Sequence, residues 1–406
     1  MIRMPRILPL VAALAFAAFT GLAGTAYAQK AESVRPEVGK PLQAAQGLVK
    51  QRKGREALAE VAKAEAVPNR TPYENFLIQQ MRGSAAAAAG DSDTAIKSFE
   101  AVLGSGRVSG KEALSMVQAI AVGYYQKKDF ANSAKWTQRY FKEGGNDPSM
   151  RTVLLQSYYL GNDCPAVNKM LSAVDEGKTR PSEEELQILA NCYLRQKDNS
   201  GYANTMEKLV VYYPKKEYWT DLLARVQKKS GFSDRLGVDV YRLRFATGNA
   251  GSVNDYMEMA QLAMQQGVPS EAKIYVDKGY AAGILGKGDQ AERQGRLRDL
   301  VNKTVDTSLK ARAQEEQEAQ SAKDGNALVN LGLNYVYEGK ADKGLPLIEA
   351  GIKKGGLKRP EDAKLRYGEA LLHAGRKERA VQVLRDVKGT DGTADIARLW
   401  VLQARV

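Results

Sequence analysis

Small residues and apolar anchors recur along this chain at intervals of roughly 34 to 36 residues, which predicts a stack of helical repeats. The clearest copies run Leu331-Gly332, Tyr335, Gly339, Gly344, Ile348 and then Tyr367-Gly368, Leu371, Gly375, Ala380, Leu384. A third runs Met259-Ala260, Ala263, Gly267, Ala272, Val276, Gly279. Within each copy the apolar residues fall at helical spacing, stop at a glycine and resume, so each unit predicts two helices joined by a turn. Such a stack offers a long surface and, as a rule, no catalytic centre, so the pattern argues for binding before any chemistry is weighed.

The rest of the chain is consistent with this. No alternation of apolar and polar residues is long enough for a sheet. The 13 prolines fall mostly between predicted helices, as at Pro68, Pro72, Pro148, Pro181, Pro214 and Pro360. Thr71-Pro72-Tyr73-Glu74 and Ser182-Glu183-Glu184-Glu185 are capping boxes, in which a hydroxyl and a glutamate three residues on satisfy exposed amides. The fold class is all-α. Two stretches depart from the pattern: 230–250 blurs the small positions, and 287–325 is charged, with Glu315-Glu316-Gln317-Glu318 and few apolar anchors.

These residues resemble the tetratricopeptide repeat family. Its first helix carries a large apolar residue, Leu-Gly and Tyr; its second carries Ala, an aromatic and Ala after a Gly-Asp turn. The small positions are where paired helices approach most closely. Gly90-Asp91, Ala95, Phe99 and Val102 match a second half; Ile120-Ala121, Tyr124, Asp129-Phe130, Ser133 and Tyr140 a whole unit. Leu154-Leu155, Tyr158 and Leu171 follow, then Leu189-Ala190, Tyr193, Met206, Leu209 and Pro214. The resemblance implies a right-handed α-solenoid over 41–286 and again over 326–406, with 287–325 a charged helical joint or degenerate repeat.

It also implies a peptide groove lined by first-helix positions: Gln118, Tyr125, Gln156, Tyr159, Asn191, Arg195, Gln261 and Gln265. This set is polar with aromatic interruptions and suits an extended peptide. The lysine–asparagine arrangement with which some members grip a C-terminal carboxylate is not present. Two stretches, Leu262–Ala272 and Gly355–Pro360, resemble repeat proteins that accompany TonB–ExbB–ExbD energy-transduction systems, which would make such a motor or an outer-membrane transporter the partner.

The N-terminus changes the setting. Arg3 and Arg6 precede an uncharged apolar run from Ile7 to Phe19, and Ala26-Tyr27-Ala28 has the A-x-A form, so 1–28 reads as a cleavable secretory signal. Residues 29–40 are a polar lead, and no later segment is apolar enough to cross a membrane. A periplasmic location is expected. The formal net charge is +13. Export and the scatter of its lysines and arginines argue against nucleic acid. Lys127-Lys128, Lys215-Lys216, Lys228-Lys229 and Lys353-Lys354 read as cations at helix ends.

Two cysteines, Cys164 and Cys192, are an even pair in an exported chain, and the repeat register puts them at the same end of the stack. A disulfide is expected, closing a loop of about 29 residues and stabilising by roughly 3–4 kcal/mol. Catalytic chemistry finds no foothold. His373 is the single histidine, at a surface position where a first helix gives way to its turn. One histidine and two distant cysteines make no metal site of the usual kind. Gly104-Ser105-Gly106 and Gly286-Lys287-Gly288 lack the spacing of phosphate loops. The reading is a non-catalytic periplasmic scaffold for protein partners of the envelope, with no cofactor. A binding module for cell-wall glycan or exported polysaccharide is the alternative.

Overall fold

The computed structural model describes residues 32–175 and 180–406. The expected signal, 1–28, lies outside the described residues. Among those described there are 20 α-helices, one short 3₁₀ turn and no strand. The chain divides into two compact units, one ending at Asp198 and the other running Asn199–Val406.

The first unit holds α1 (Pro36–Lys50), α2 (Gly54–Glu65), α3 (Pro72–Ala89), α4 (Ser92–Gly104) and α5 (Gly110–Gln126). It continues with α6 (Phe130–Lys142), α7 (Pro148–Leu160), α8 (Cys164–Asp175) and α9 (Glu183–Arg195). Odd-numbered helices are the first members of pairs. Helices α1, α3, α5 and α7 each pack on the helix that follows, and α3, α5, α7 and α9 on the one that precedes. Helix starts are set by side chains. Thr71 Oγ1 accepts from Glu74 N at 3.1 Å while Glu74 Oε2 accepts from Thr71 N at 2.9 Å, and Ser182 and Glu185 repeat the exchange. Asp91, Asp129 and Asp147 cap α4, α6 and α7.

Turns inside pairs reverse on a left-handed residue: Gly90, and also Lys128, Asn162 and Lys197, with φ of 58–78°. Lys128 is therefore a turn residue as well as a cation after α5. Of the paired lysines, Lys215-Lys216 opens a helix rather than closing one, so the dipole argument fails there. Glu74 is buried, and hydrogen bonds from Arg35, then from Thr71, lower its carboxyl to about 2. Cys164, the first residue of α8, is bonded to Cys192 of α9 with 5.2 Å between Cα atoms.

The second unit holds α10 (Asn199–Tyr212), α11 (Lys216–Gln227), a 3₁₀ turn (Asp234–Leu236), α12 (Gly237–Ala246), α13 (Val253–Gln265) and α14 (Pro269–Ala281). Then come α15 (Ala291–Ser321), α16 (Asn326–Tyr337), α17 (Ala341–Lys354), α18 (Pro360–His373), α19 (Lys377–Arg385) and α20 (Thr393–Gln403). The tightest pair is α16–α17. A Cβ on Gly332 would lie 2.7 Å from Gly344 O, and one on Gly344 2.5 Å from Gly332 O, so neither position admits a side chain.

The charged stretch 287–325 lies inside this unit and is largely one helix of 31 residues, α15. It buries a thin stripe, Gln294, Leu297, Val301 and Val305, and leaves Leu300 more than half exposed. Helix α12 accounts for the blurred pattern at 230–250. Val238, Asp239, Val240, Arg242 and Leu243 are all buried, so it has no polar face to alternate with an apolar one. Among the described residues no helix is long and apolar enough to cross a membrane.

Candidate functional site

In the first unit, side chains on the first helices of successive pairs are joined by hydrogen bonds at near-repeat spacing. Gln80 of α3 donates to Glu112 of α5. Gln118 of α5 donates to Asp147, the cap of α7, at 3.1 Å. Tyr125 OH donates to Gln156 Oε1 of α7 at 2.7 Å, and Gln156 Nε2 donates to Glu184 Oε1 of α9 at 3.3 Å. Arg151 and Glu185 pair across the same two helices at 3.1 Å. The result is a ladder of amides, carboxylates and one phenol, with separate rungs from α3 to α5, α5 to α7 and α7 to α9, half-buried except at the exposed Glu112. Burial, then the charge of Glu184, raises the Tyr125 phenol, which stays a proton donor.

Of the eight residues expected to line a groove, Gln118, Tyr125 and Gln156 belong to this ladder. Tyr159 does not open onto it: the ring is packed into the core with Leu155, Val167 and Ile188. Arg195 covers that ring at 4.3 Å and donates to Tyr159 O at 3.0 Å, so the two form a lid on the core. Asn191 donates back to Gln187 O of its own helix at 2.9 Å. Gln261 and Gln265 lie on α13 of the other unit, half-buried and exposed respectively. Sequence reasoning did not pick out Gln80, Glu112, Asp147 and Glu184. Their signal was available, since 80/112, 118/147 and 156/184 are donor–acceptor pairs about one repeat apart.

The second unit contains a buried ionic cluster that no motif or spacing announces. Arg242 of α12, 3% exposed, donates from Nη1 to Asp239 Oδ1 at 2.7 Å and to Glu369 Oε2 of α18 at 2.8 Å. Its Nε and Nη2 hold both oxygens of Glu271 of α14 at 2.7 and 2.5 Å. Arg366 of α18 pairs with Asp239 at 3.2 Å, and Trp400 of α20 donates to Glu369 Oε1 at 2.7 Å. Burial opposes the Arg242 charge, yet Glu271 and Glu369 outweigh it and hold the guanidinium well above its ordinary value. Three carboxylates face two guanidiniums. Burial, reinforced by Asp239, pushes the Glu369 carboxyl well above the usual carboxylate range.

His373 ends α18 on the surface, its ring 4.8 Å from that of Tyr337. Among the described residues no three His, Cys, Asp or Glu side chains are gathered to hold a metal ion. An open cleft of about 340 Å³ lies between α17, α18 and α19, floored by Pro346, Tyr367 and Leu371. The charges on its rim are paired with one another, Arg379 with Glu349 at 2.8 Å and Arg376 with Asp342 at 3.5 Å. The stretches 262–272 and 355–360 that resemble TonB-system proteins serve packing and turns. Ala263, Val268 and Ala272 are fully buried, and Gly355 O accepts from Gly325 N at 2.9 Å.

A family model described as tetratricopeptide repeat matches residues 329–395, which span α16 to the start of α20. The match covers these late helix pairs of a chain whose described residues are helical pairs throughout. No curated protein sequence matches it. Among solved structures it is similar to one of Naa15/Naa10 bound to HypK-THB, at 15% identity over 87% of this chain, with a TM-score of 0.34. The chain spans 59% of that protein's length. It is also similar to yeast Tom70 (12% identity, 90% of this chain and 95% of that one, TM-score 0.26). The pentatricopeptide repeat protein PPR10 from maize gives 14% identity, 90% and 60% coverage and a TM-score of 0.24. Superposition this loose adds nothing to the functional reading.

Proposed function

We propose that this protein is an exported, non-catalytic scaffold of the cell envelope, and that its first unit holds an extended segment of a partner protein along the ladder. The observation that carries this reading is the ladder itself. A carboxamide offers two N–H donors and an oxygen with two lone pairs, the same groups a peptide backbone presents. Gln80, Gln118 and Gln156 repeat those groups from one first helix to the next, at partly exposed positions. Tyr125 adds an aromatic ring among them. Export is supported by the pattern of residues 1–28 and by the bonded cysteines, since such bonds persist in oxidising compartments.

The test is in-cell crosslinking followed by affinity capture of residues 29–406, wild type against the double variant Tyr125→Phe/Gln156→Ala. We expect a reproducible envelope protein with the wild type and at least a tenfold loss with the variant. A TonB–ExbB–ExbD complex is the first partner to look for. Capture of the same protein at unchanged yield by the variant would remove the ladder from the site. Capture of wall glycan or polysaccharide alone would replace the scaffold reading with the glycan-binding one.

A further inference from the structure

The seam between the early and late helices of the second unit is built differently from its cores. Val238 of α12 packs with Met257, Met259 and Ala260 of α13 and with Val276 of α14. The other side of α12, and the turn before it, meets α18–α20 largely through charges. Arg235 holds both oxygens of Asp362 at 2.9 and 2.8 Å and reaches Asp391 at 2.6 Å. Lys229 pairs with Asp395 at 2.8 Å, and Arg398 with Glu207 at 2.8 Å. Beneath this rim lies the Arg242–Glu369 contact. Phe232 and Leu236 add an apolar contact against the backbone of Gly392.

Two acceptors of those arginines, Asp362 and Glu369, lie on the first helix α18, Glu369 in the groove register. Glu369 follows Tyr367-Gly368 as Asn191 follows Leu189-Ala190 and Gln156 follows Leu154-Leu155. Asp362, Arg366, Glu369 and His373 lie four, three and four residues apart, one stripe of α18. The face that the first unit leaves half-open is, in the C-terminal repeats, filled by the chain's own residues 235–242.

We propose that the first-helix face of the C-terminal repeats is a receptor for a segment bearing two arginines seven residues apart, and that residues 235–242 occupy it as an autoinhibitory contact. Val238, Tyr241 and Phe245 of α12 pack in the α13–α14 core, which gives α12 a hold on those helices separate from its ion pairs with α18. A charged seam is also one that salt weakens, as an apolar one is not. The groups facing the contact are Asp239 on α12, Glu271, Tyr275 and Lys278 on α14, Tyr337 on α16, Arg366 and His373 on α18, and Trp400 on α20.

The test adds a fluorescent synthetic peptide of residues 229–247 to the full mature chain. Wild type is compared with the rim variant Lys229→Ala/Arg235→Ala, whose helicity is checked by circular dichroism. The peptide should bind the variant at least ten times more tightly than the wild type. A control peptide with both of its arginines, Arg235 and Arg242, replaced by alanine should lose that gain. A folded variant with no gain, or equal binding of the control, overturns the proposal. Hydrogen exchange on the wild type decides the matter if the variant does not fold. Raising salt from 20 to 500 mM should release protection in 360–373 and 393–403 while 253–281 keeps its own. Joint loss across all three segments would show the seam to be part of one core and would end the proposal.

Discussion

At Gly332, two effects of a single methyl group oppose one another. Alanine in place of a mid-helix glycine ordinarily stabilises by about 1 kcal/mol. Here the added Cβ would meet Ile348 Cγ1 at 2.6 Å and the backbone of α17 at 2.7 Å, and backbone cannot turn aside. Overpacking of this kind costs roughly 1–3 kcal/mol, so Gly332→Ala should destabilise despite its better propensity. Chemical denaturation reads the sign directly. Glu369 offers a second test. A carboxyl whose folded value is raised contributes stability that is complete below about 4.5, its unfolded value, and is lost as pH rises through the folded value. Glu369→Gln keeps the acceptor for Trp400 and removes the titration. Wild-type stability should therefore fall with rising pH by up to about 1.4 kcal/mol per unit, and the variant's should not. Parallel pH profiles would clear Glu369 of the role. The glycine was legible in the sequence because close approach repeats with the period. Arg242 was not, because its partners lie on three different helices and no spacing announces them.

Among the elements, α8 and α9 are joined by a covalent bond as well as by packing. Losing a native disulfide costs roughly 2–5 kcal/mol, and the double variant Cys164→Ser/Cys192→Ser should show a loss in that range. Reductant should lower the wild type to the variant's midpoint and leave the variant unmoved; any other pattern would separate the stability from the bond. Helices with one wet face, such as α5 and α7, could be read from their anchors, and α16, buried at every position from Leu331 to Tyr337, was read from its Leu-Gly and Tyr. Helix α12 could not, since periodicity is a contrast between two faces and α12 is buried on nearly all sides. In α15 the stripe of Leu297, Val301 and Val305 is too thin to stand out among its charges, so the sequence left open whether 287–325 was one helix or a pair. The ladder was half legible: the register placed Gln118, Tyr125 and Gln156 correctly along first helices. Tyr159 turned inward because its ring completes the core beneath Arg195.

For the molecule as a whole, the formal net charge of +13 offers attraction to any anionic polymer, with no geometry required. That attraction and the ladder make separable predictions. Retention on an anionic polysaccharide matrix should fall steeply between 50 and 300 mM salt and be the same for wild type and Tyr125→Phe/Gln156→Ala. Capture of a protein partner should show the reverse dependence, sensitive to the variant and weakly sensitive to salt. Retention that tracks the variant instead would tie the glycan to the ladder.

The seam in the second unit also has a schedule. Tyr125 meets its partner Gln156 after 31 more residues, whereas Arg242 meets Glu369 only after 127. At about 5–20 residues per second, the guanidinium emerges from the ribosome roughly 6–25 s before the carboxyl that completes its burial. During that interval α12 carries a charge designed for an interior that has not yet been synthesised. The first unit can assemble as it is made, one pair after another; the second has to wait for its last helices.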